Sequence, residues 1–322
     1  MPAGMAGAGN VSRTGYYWDE ISLRHDTGAH VESILRAERL RPERIARLAP
    51  GLDVRPVVSC DAVEWICRVH DRDYHDWVRE RCDQGGGILD LGDTPASARS
   101  YDAALASVNA LLTAADAVMA GEIDNAFSAM RPPGHHALPS RAMGFCLFNN
   151  IAVAARYLEG KHRVGRIAIV DFDVHHGNGT QHIFWRDPDV FFASIHQFPL
   201  FPGSGQAREM GDGPGMGSTL NVPVAPGTTE EEYLDLFRKQ VIRGVDEFGP
   251  EFLLVSAGFD GHIADPLADL RLTEEGFAQI TRDLKSLAEA HCRGRLISCL
   301  EGGYNLDALE RSVAAHVQAL MN

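Results

Sequence analysis

Residues 166–180 read RIAIVDFDVHHGNGT, and this stretch decides the fold. Arg166 to Val170 is an apolar, β-branched run of strand length, the pattern of a strand inside a parallel sheet. It ends on Asp171, Asp173 and His175, spaced i, i+2, i+4, which on an extended backbone sends the three side chains to one face. Two carboxylates and an imidazole at the carboxyl end of a strand make a candidate metal site. Open α/β sheets place their ligands at that edge. The Gly177-Asn178-Gly179 turn that follows lets the backbone come close to whatever is bound.

An α/β rhythm extends outward from this stretch. Strands are predicted over 125–130, 166–171, 189–195, 219–224, 252–257 and 295–300, with a short one at 55–59. Helical spacing predicts a helix over 31–47, two short ones within 61–82, and others over 101–120, 150–159, 229–248, 274–292 and 306–321. Thr228 and Glu231 stand at capping-box spacing, and Thr273 is the expected N-cap of the next helix. Gly85-Gly86-Gly87 opens an expected loop to about residue 99. Alternating strands and helices predict an α/β single domain, a mostly parallel central sheet flanked by helices on both faces. Residues 1–14 begin with small, uncharged side chains and are expected to be a disordered lead; the domain is expected over 15–322.

Composition narrows the function. Hydrophobic residues make up 45% of the 322-residue chain and charged ones 23%, as in ordinary globular proteins. A net charge of −14 argues against nucleic-acid binding and suits a cationic or basic partner. The 6 cysteines form no paired framework, which predicts reduced thiols and a cytoplasmic protein. No apolar run of the roughly 18–20 residues needed to span a bilayer is read from the sequence, so no membrane partner is expected.

Three further motifs follow predicted strands. Arg131-Pro132-Pro133-Gly134-His135-His136 is a stiff turn presenting two imidazoles, which together can divide base and acid duties. Ser256-Ala257-Gly258-Phe259-Asp260 supplies a third ligand; one His and two Asp around a divalent ion leave a position for water, as in catalytic zinc sites. Glu301-Gly302-Gly303-Tyr304 allows close approach at the glycines and offers a phenol to a polarised carbonyl. Three ligands, two acid–base groups and an oxyanion donor converge on one sheet edge.

These motifs resemble the histone deacetylase superfamily, which has the arginase–deacetylase fold, and within it the class II-like bacterial deacetylases. The matching stretches are RPPGHHA (131–137), GFCLFNN (144–150), VDFDVHHGNGTQ (170–181), SAGFDGH (256–262) and LEGGYN (300–305). The resemblance implies zinc-dependent hydrolysis of an N-acyl amide on a lysine-like amine, releasing acetate. It assigns the zinc ligands to Asp173, His175 and Asp260. His136 becomes the general base and then acid, His135 an electrostatic partner oriented by Asp171, and Asn178 the partner of His136. Tyr304 becomes the transition-state tyrosine. Gly144 and Phe145 match one wall of the acyl-lysine tunnel, with Phe201 or Leu200 opposite, Gly303 beside the substrate and Asp93 as the rim acid. A structural potassium ion is implied at Asp171, Asp173, His175, Ser194 and Ile195.

The resemblance also implies alternatives. Acetylpolyamine amidohydrolases share most of the motifs, but residues 83–100 are too short for the insertion those enzymes carry, which favours acetylated lysine side chains or peptides. His30-Val31-Glu32-Ser33-Ile34-Leu35-Arg36 departs from the family's early HPERPERL-like motif, which bears on the entrance and an internal acetate channel. An arginase-like binuclear manganese site would want a second Asp where SAGFDGH has one. A catalytically silent acyl-amine binding module is countered by the intact Tyr304 and paired histidines. A homo-oligomer is compatible with the sequence.

Overall fold

A computed structural model of the protein describes residues 12–322. Its strands are β1 (Thr14–Tyr17), β2 (Asp53–Arg55), β3 (Gly86–Ile88), β4 (Pro95–Ser97), β5 (Asn125–Ser128), β6 (Ile167–Asp171), β7 (Val190–Gln197), β8 (Thr219–Val224), β9 (Phe252–Ala257) and β10 (Leu296–Leu300). Eight of them form one sheet in the order β2-β1-β5-β10-β9-β6-β7-β8, and every neighbouring pair is parallel. β3 and β4 make a separate antiparallel hairpin.

The central strands IAIVD, FLLVSA and LISCL are buried at every position, as cover on both faces requires. Their side chains alternate between two apolar layers. Ile167, Ile169, Leu254 and Ile297 pack towards the helices Ser100–Met119 and Asn150–His162. Val170, Leu253, Val255 and Leu300 pack towards the helices Glu274–His291 and Leu306–Met321. The result is the expected α/β architecture, one continuous sheet covered by helices on both faces. Ser128, Cys299, Ser256, Asp171 and Ser194 stand in register across β5, β10, β9, β6 and β7. The functional motifs leave the sheet at or just beyond that row, so register alone brings them to one edge.

Several boundaries differ from the sequence expectation, each for a local reason. The lead expected over 1–14 falls outside the described residues up to residue 11. Ser12 already donates to the Met321 carbonyl at 2.9 Å, and Thr14 opens β1, a strand too short to show an apolar run. The short strand expected at 55–59 lies at Asp53–Arg55, because Pro56 has no amide to extend the ladder. The helix expected over 31–47 is two, Ile34–Arg39 and Pro42–Leu48, with Pro42 opening the second.

The capping box is Thr229 with Glu232, one residue later than expected, since the Thr228 hydroxyl donates to the Ala225 carbonyl instead. The helix it opens runs Glu230–Leu236, then relaxes into a π turn at Phe237–Ile242 before Arg243–Phe248. The expected loop after Gly85 contains the β3–β4 hairpin. Gly86, at φ +92°, sits where a Cβ would meet the Ala96 carbonyl oxygen at 2.1 Å. Contrary to the sequence reading, the helix Ser100–Met119 is long and apolar enough by length and composition to cross a membrane. It is the Ala-rich core helix of one layer, with 61% of its apolar window buried.

Candidate active site

β6 ends at Asp171, and the chain then bends rather than staying extended. Carboxylates hold the bend. Asp173 N donates to Asp171 Oδ1 at 3.1 Å, His175 N to Asp173 Oδ1 at 2.8 Å, and Val174 N to Asp260 Oδ1 at 3.0 Å. Phe172 and Val174 are buried in the apolar layer while the alternate residues turn to the site.

Asp173, His175 and Asp260 each bring a ligand atom within 4.8 Å of the others. His175 Nδ1 stands 3.1 Å from both Asp173 Oδ1 and Asp260 Oδ2. Two glycines make the room: a Cβ on Gly302 would lie 2.0 Å from Asp260 Oδ2, and one on Gly258 would lie 2.0 Å from Asp173 Oδ2. All three ligand side chains are buried, and among the described residues neither carboxylate is paired with Lys or Arg. Two buried carboxylates with no Lys or Arg partner, sharing the His175 imidazole between them, are a donor set suited to a divalent ion such as zinc.

The tandem histidines lie beside this triad with ring centroids 4.0 Å apart. His135 donates from Nδ1 to Asp171 Oδ2 at 2.9 Å. Burial opposes a charge on His135, but the carboxylates of Asp171, Asp173 and Glu301 outweigh it and raise its affinity for a proton. His136 donates from Nδ1 to Asn178 Oδ1 at 2.7 Å, which leaves Nε2 as its acceptor. Burial, with His135 and His175 alongside, holds His136 well below the usual imidazole range, so it is neutral near pH 7. One ring is poised charged and its neighbour poised neutral.

Tyr304 closes the opposite side. Burial pushes its phenol well above its ordinary value, so it stays a hydrogen-bond donor. Its backbone N–H donates to Asp265 Oδ2 at 2.7 Å, and the Arg36 guanidinium lies 5.0 Å from its ring centroid. A cavity of about 530 Å³ opens above these groups, with His136, His175 and Tyr304 in its lining. Gly144, Phe145, Leu200, Phe201 and Asp93, all expected at the substrate, line it too. Gly144, at φ +54°, has no space for a side chain: a Cβ would meet His136 Cδ2 at 2.4 Å.

Residues 30–320 match the family model of the histone deacetylase domain. The chain belongs to the histone deacetylase family. It is 38% identical over 312 residues to a histone deacetylase-like amidohydrolase of Pseudomonas aeruginosa, covering 91% of this chain and 82% of that one. It is 40% identical over 299 residues to a probable deacetylase of Archaeoglobus fulgidus, again covering 91% and 82%. A crystal structure of the HDA15 HD domain superposes with a TM-score of 0.89 at 32% identity, covering 96% of this chain and 88% of that one. Deacetylase and amidohydrolase activity, and thus hydrolase chemistry, is what this membership supports.

Within this histone deacetylase domain one residue expected at the substrate, Gly303, sits elsewhere, and the other residues near the site take the following places. Gly303 is not part of the cavity lining: its carbonyl accepts from Arg36 Nε at 2.7 Å and its α-carbon packs towards Leu309. Ser194 stands opposite Asp171 in the β6–β7 register, and the Ile195 carbonyl accepts from the Tyr233 hydroxyl at 3.4 Å. His176 bonds Ser204 and Gln181 rather than the ligand set. His262 lies buried near Glu274, away from the cavity rim. Cys146 is buried behind the lining, with Sγ 3.3 Å from the Gly144 carbonyl.

Sequence reasoning missed a buried charge cluster beneath the histone deacetylase site. Glu32 bonds both Arg36 and Arg131, and all three are fully buried. Arg131 opens the tandem-histidine turn, while Arg36 reaches the carbonyls of Glu301 and Gly303 in the Tyr304 loop. The signal was present in HVESILR, whose Glu32 and Arg36 stand i, i+4. His30 was missed as well. It accepts from Glu32 N on Nδ1, donates from Nε2 to rim Asp93 at 3.0 Å, and meets Phe145 edge-on at 4.7 Å. Asp265 also went unmarked, although it accepts from Leu267 N, on the cavity wall, as well as from Tyr304 N.

Proposed function

We propose that this chain is a zinc-dependent deacetylase that hydrolyses the N-acetyl amide of an acylated lysine side chain, releasing acetate and a free amine. The observation that carries the proposal is the convergence of a buried Asp–His–Asp triad, a neutral imidazole and a protonated phenol on one cavity.

Asp173, His175 and Asp260 would hold the zinc. Bound there, it supplies Lewis-acid polarisation of the amide carbonyl and a bound water whose pKa is lowered towards about 7. Asn178 fixes His136 as the Nδ1–H tautomer, so Nε2 takes the proton of the attacking water. His136 then returns that proton to the leaving amine nitrogen as the C–N bond breaks. Protonated His135, held by Asp171, adds positive potential beside the developing negative charge. Tyr304 donates its phenol proton in a hydrogen bond to the carbonyl oxygen as it becomes an oxyanion. Phe145 and Phe201 enclose the lysine methylenes and keep water away, and Asp93, oriented by His30, faces the substrate backbone at the rim.

A potassium ion at Asp171, Asp173, His175, Ser194 and Ile195 belongs to the same proposal, supported by the register that sets Ser194 opposite Asp171. Lysine side chains rather than polyamines are favoured because the stretch ahead of Tyr101 is filled by the compact β3–β4 hairpin, whose tip residues Asp90 to Asp93 form the rim. The test is a comparison of acetate release from an acetyl-lysine peptide and from an acetylated polyamine. Higher kcat/KM on the peptide is expected; higher kcat/KM on the polyamine reassigns the substrate.

A further inference from the structure

Glu301 neither holds the metal nor carries a proton in the chemistry above, and beside Asp171 and Asp173 it is one of three carboxylates favouring the charge on His135, yet its own carboxylate is fully buried. Oε2 accepts two main-chain bonds from the tandem-histidine turn, Gly134 N at 2.7 Å and His135 N at 3.1 Å. Oε1 accepts from the Ser256 hydroxyl at 3.1 Å and lies 3.5 Å from Cys299 Sγ. The Glu301 main chain is itself fixed, its N–H donating to the Ala257 carbonyl at 2.9 Å and its carbonyl accepting from Arg36.

We infer that Glu301 is a positioning residue: one carboxylate locks the tandem-histidine turn to the strand ends that carry the metal ligand Asp260 and Tyr304. The turn needs such a partner. Pro132 and Pro133 carry no amide, and Gly134 is so crowded that a Cβ there would meet Asn150 N at 2.5 Å, so the turn cannot repack through a side chain of its own. Without Glu301 the amides of Gly134 and His135 face a dry interior with no acceptor, and buried amides do not stay unpaired. The turn would shift to find water, and the His136 imidazole would move with it.

This inference rests on the proposed role of His136, and its test separates the two. Glu301→Gln keeps the geometry, since the amide oxygen accepts both N–H groups and the NH₂ donates to Ser256. Glu301→Leu removes every acceptor. The first readout is hydrogen exchange of the Gly134 and His135 amides in the zinc-loaded protein, which does not depend on turnover. Protection in the wild type and in Glu301→Gln, with loss in Glu301→Leu, is expected. The second readout is kinetic: in Glu301→Leu, kcat falls roughly 100-fold, the cost of misplacing a catalytic group by about 1 Å, with KM and bound zinc little changed. In Glu301→Gln, kcat stays within about threefold, a margin too small for a lost catalytic contact.

Unprotected Gly134 and His135 amides in the wild type overturn the inference even where Glu301→Leu cannot be folded. So does equal loss of kcat in the Gln and Leu variants, which would assign the effect to charge. If the amides are protected as expected but the wild type releases no acetate, the catalytic reading fails and the positioning of the turn stands.

Discussion

Asn178 Oδ1 lies 2.7 Å from His136 Nδ1, and this single bond decides which nitrogen of the His136 imidazole is left free as an acceptor. The contact joins the N-terminal residue of the helix Asn178–Phe184 to a turn 42 residues earlier in the chain. An amide oxygen orients the ring without adding a charge, so His136 keeps the depressed proton affinity that burial imposes.

Asn178→Ala should therefore lower kcat roughly 10- to 100-fold, the usual cost of losing an orienting partner. Asn178→Asp should instead act on the pH profile. A carboxylate stabilises the imidazolium and raises the His136 pKa, so the acid limb, where the base becomes protonated, moves to higher pH. Steady-state rates against pH check this. An unmoved acid limb in Asn178→Asp would remove His136 from the role of base.

Tyr304→Phe should lower kcat by a factor corresponding to about 3–4 kcal/mol of transition-state stabilisation while leaving zinc content at the wild-type level. Kinetics and metal analysis on the same preparation distinguish this from a damaged site. Parallel loss of zinc and turnover would show that the tyrosine supports the fold of the centre instead.

The Glu32 cluster makes a prediction about stability. Burial would raise Glu32, but the Arg131 charge and the hydrogen bonds from His25 and Arg131 outweigh it and hold the carboxyl well below its usual range. Removing it strands two buried guanidinium groups, so Glu32→Ala should destabilise by about 3–5 kcal/mol in urea unfolding. The folded-state pKa lies below the unfolded one. Its contribution is therefore present above the unfolded value of about 4.3 and is lost as pH falls towards the lower folded value. A near-neutral Glu32→Ala would mean the cluster is not held as described.

His70 predicts a second, milder acid effect. Its Nδ1 donates to the Leu138 carbonyl at 3.0 Å and its Nε2 accepts from Asn149 N at 2.8 Å, so the neutral ring is already fully used. Burial lowers it to about 4 from 6.5. The unfolded chain thus binds a proton that the folded chain refuses, and stability should fall as pH drops from 6.5 towards 4. Urea unfolding across that window should show a shallower slope in His70→Gln. An identical slope would place the proton uptake elsewhere.

The parts of the site that were legible in sequence are those fixed by strand ends. Asp171, Asp173, His175 and Asp260 follow buried apolar strands, and parallel register then brings them together with no further information. The same logic found His135, His136 and Tyr304. What stayed hidden depends on side chains meeting across the fold: His30 reaches Asp93 over 63 residues, and Glu32 reaches Arg131 over 99. Neither contact leaves a periodic trace. β1 and the β3–β4 hairpin were missed because four residues or a glycine-rich edge carry too little pattern, and their pairing comes from neighbouring structure.

The central claim is that one ion at Asp173, His175 and Asp260 powers amide hydrolysis in this cavity. The direct measurement is acetate release from an acetyl-lysine peptide by protein stripped with a chelator, titrated with zinc, beside Asp260→Asn treated identically. The account predicts turnover that rises with bound zinc and saturates at one ion per chain, with Asp260→Asn binding little zinc and releasing little acetate. Acetate release that survives stripping, or an Asp260→Asn protein as active as the wild type, would contradict it.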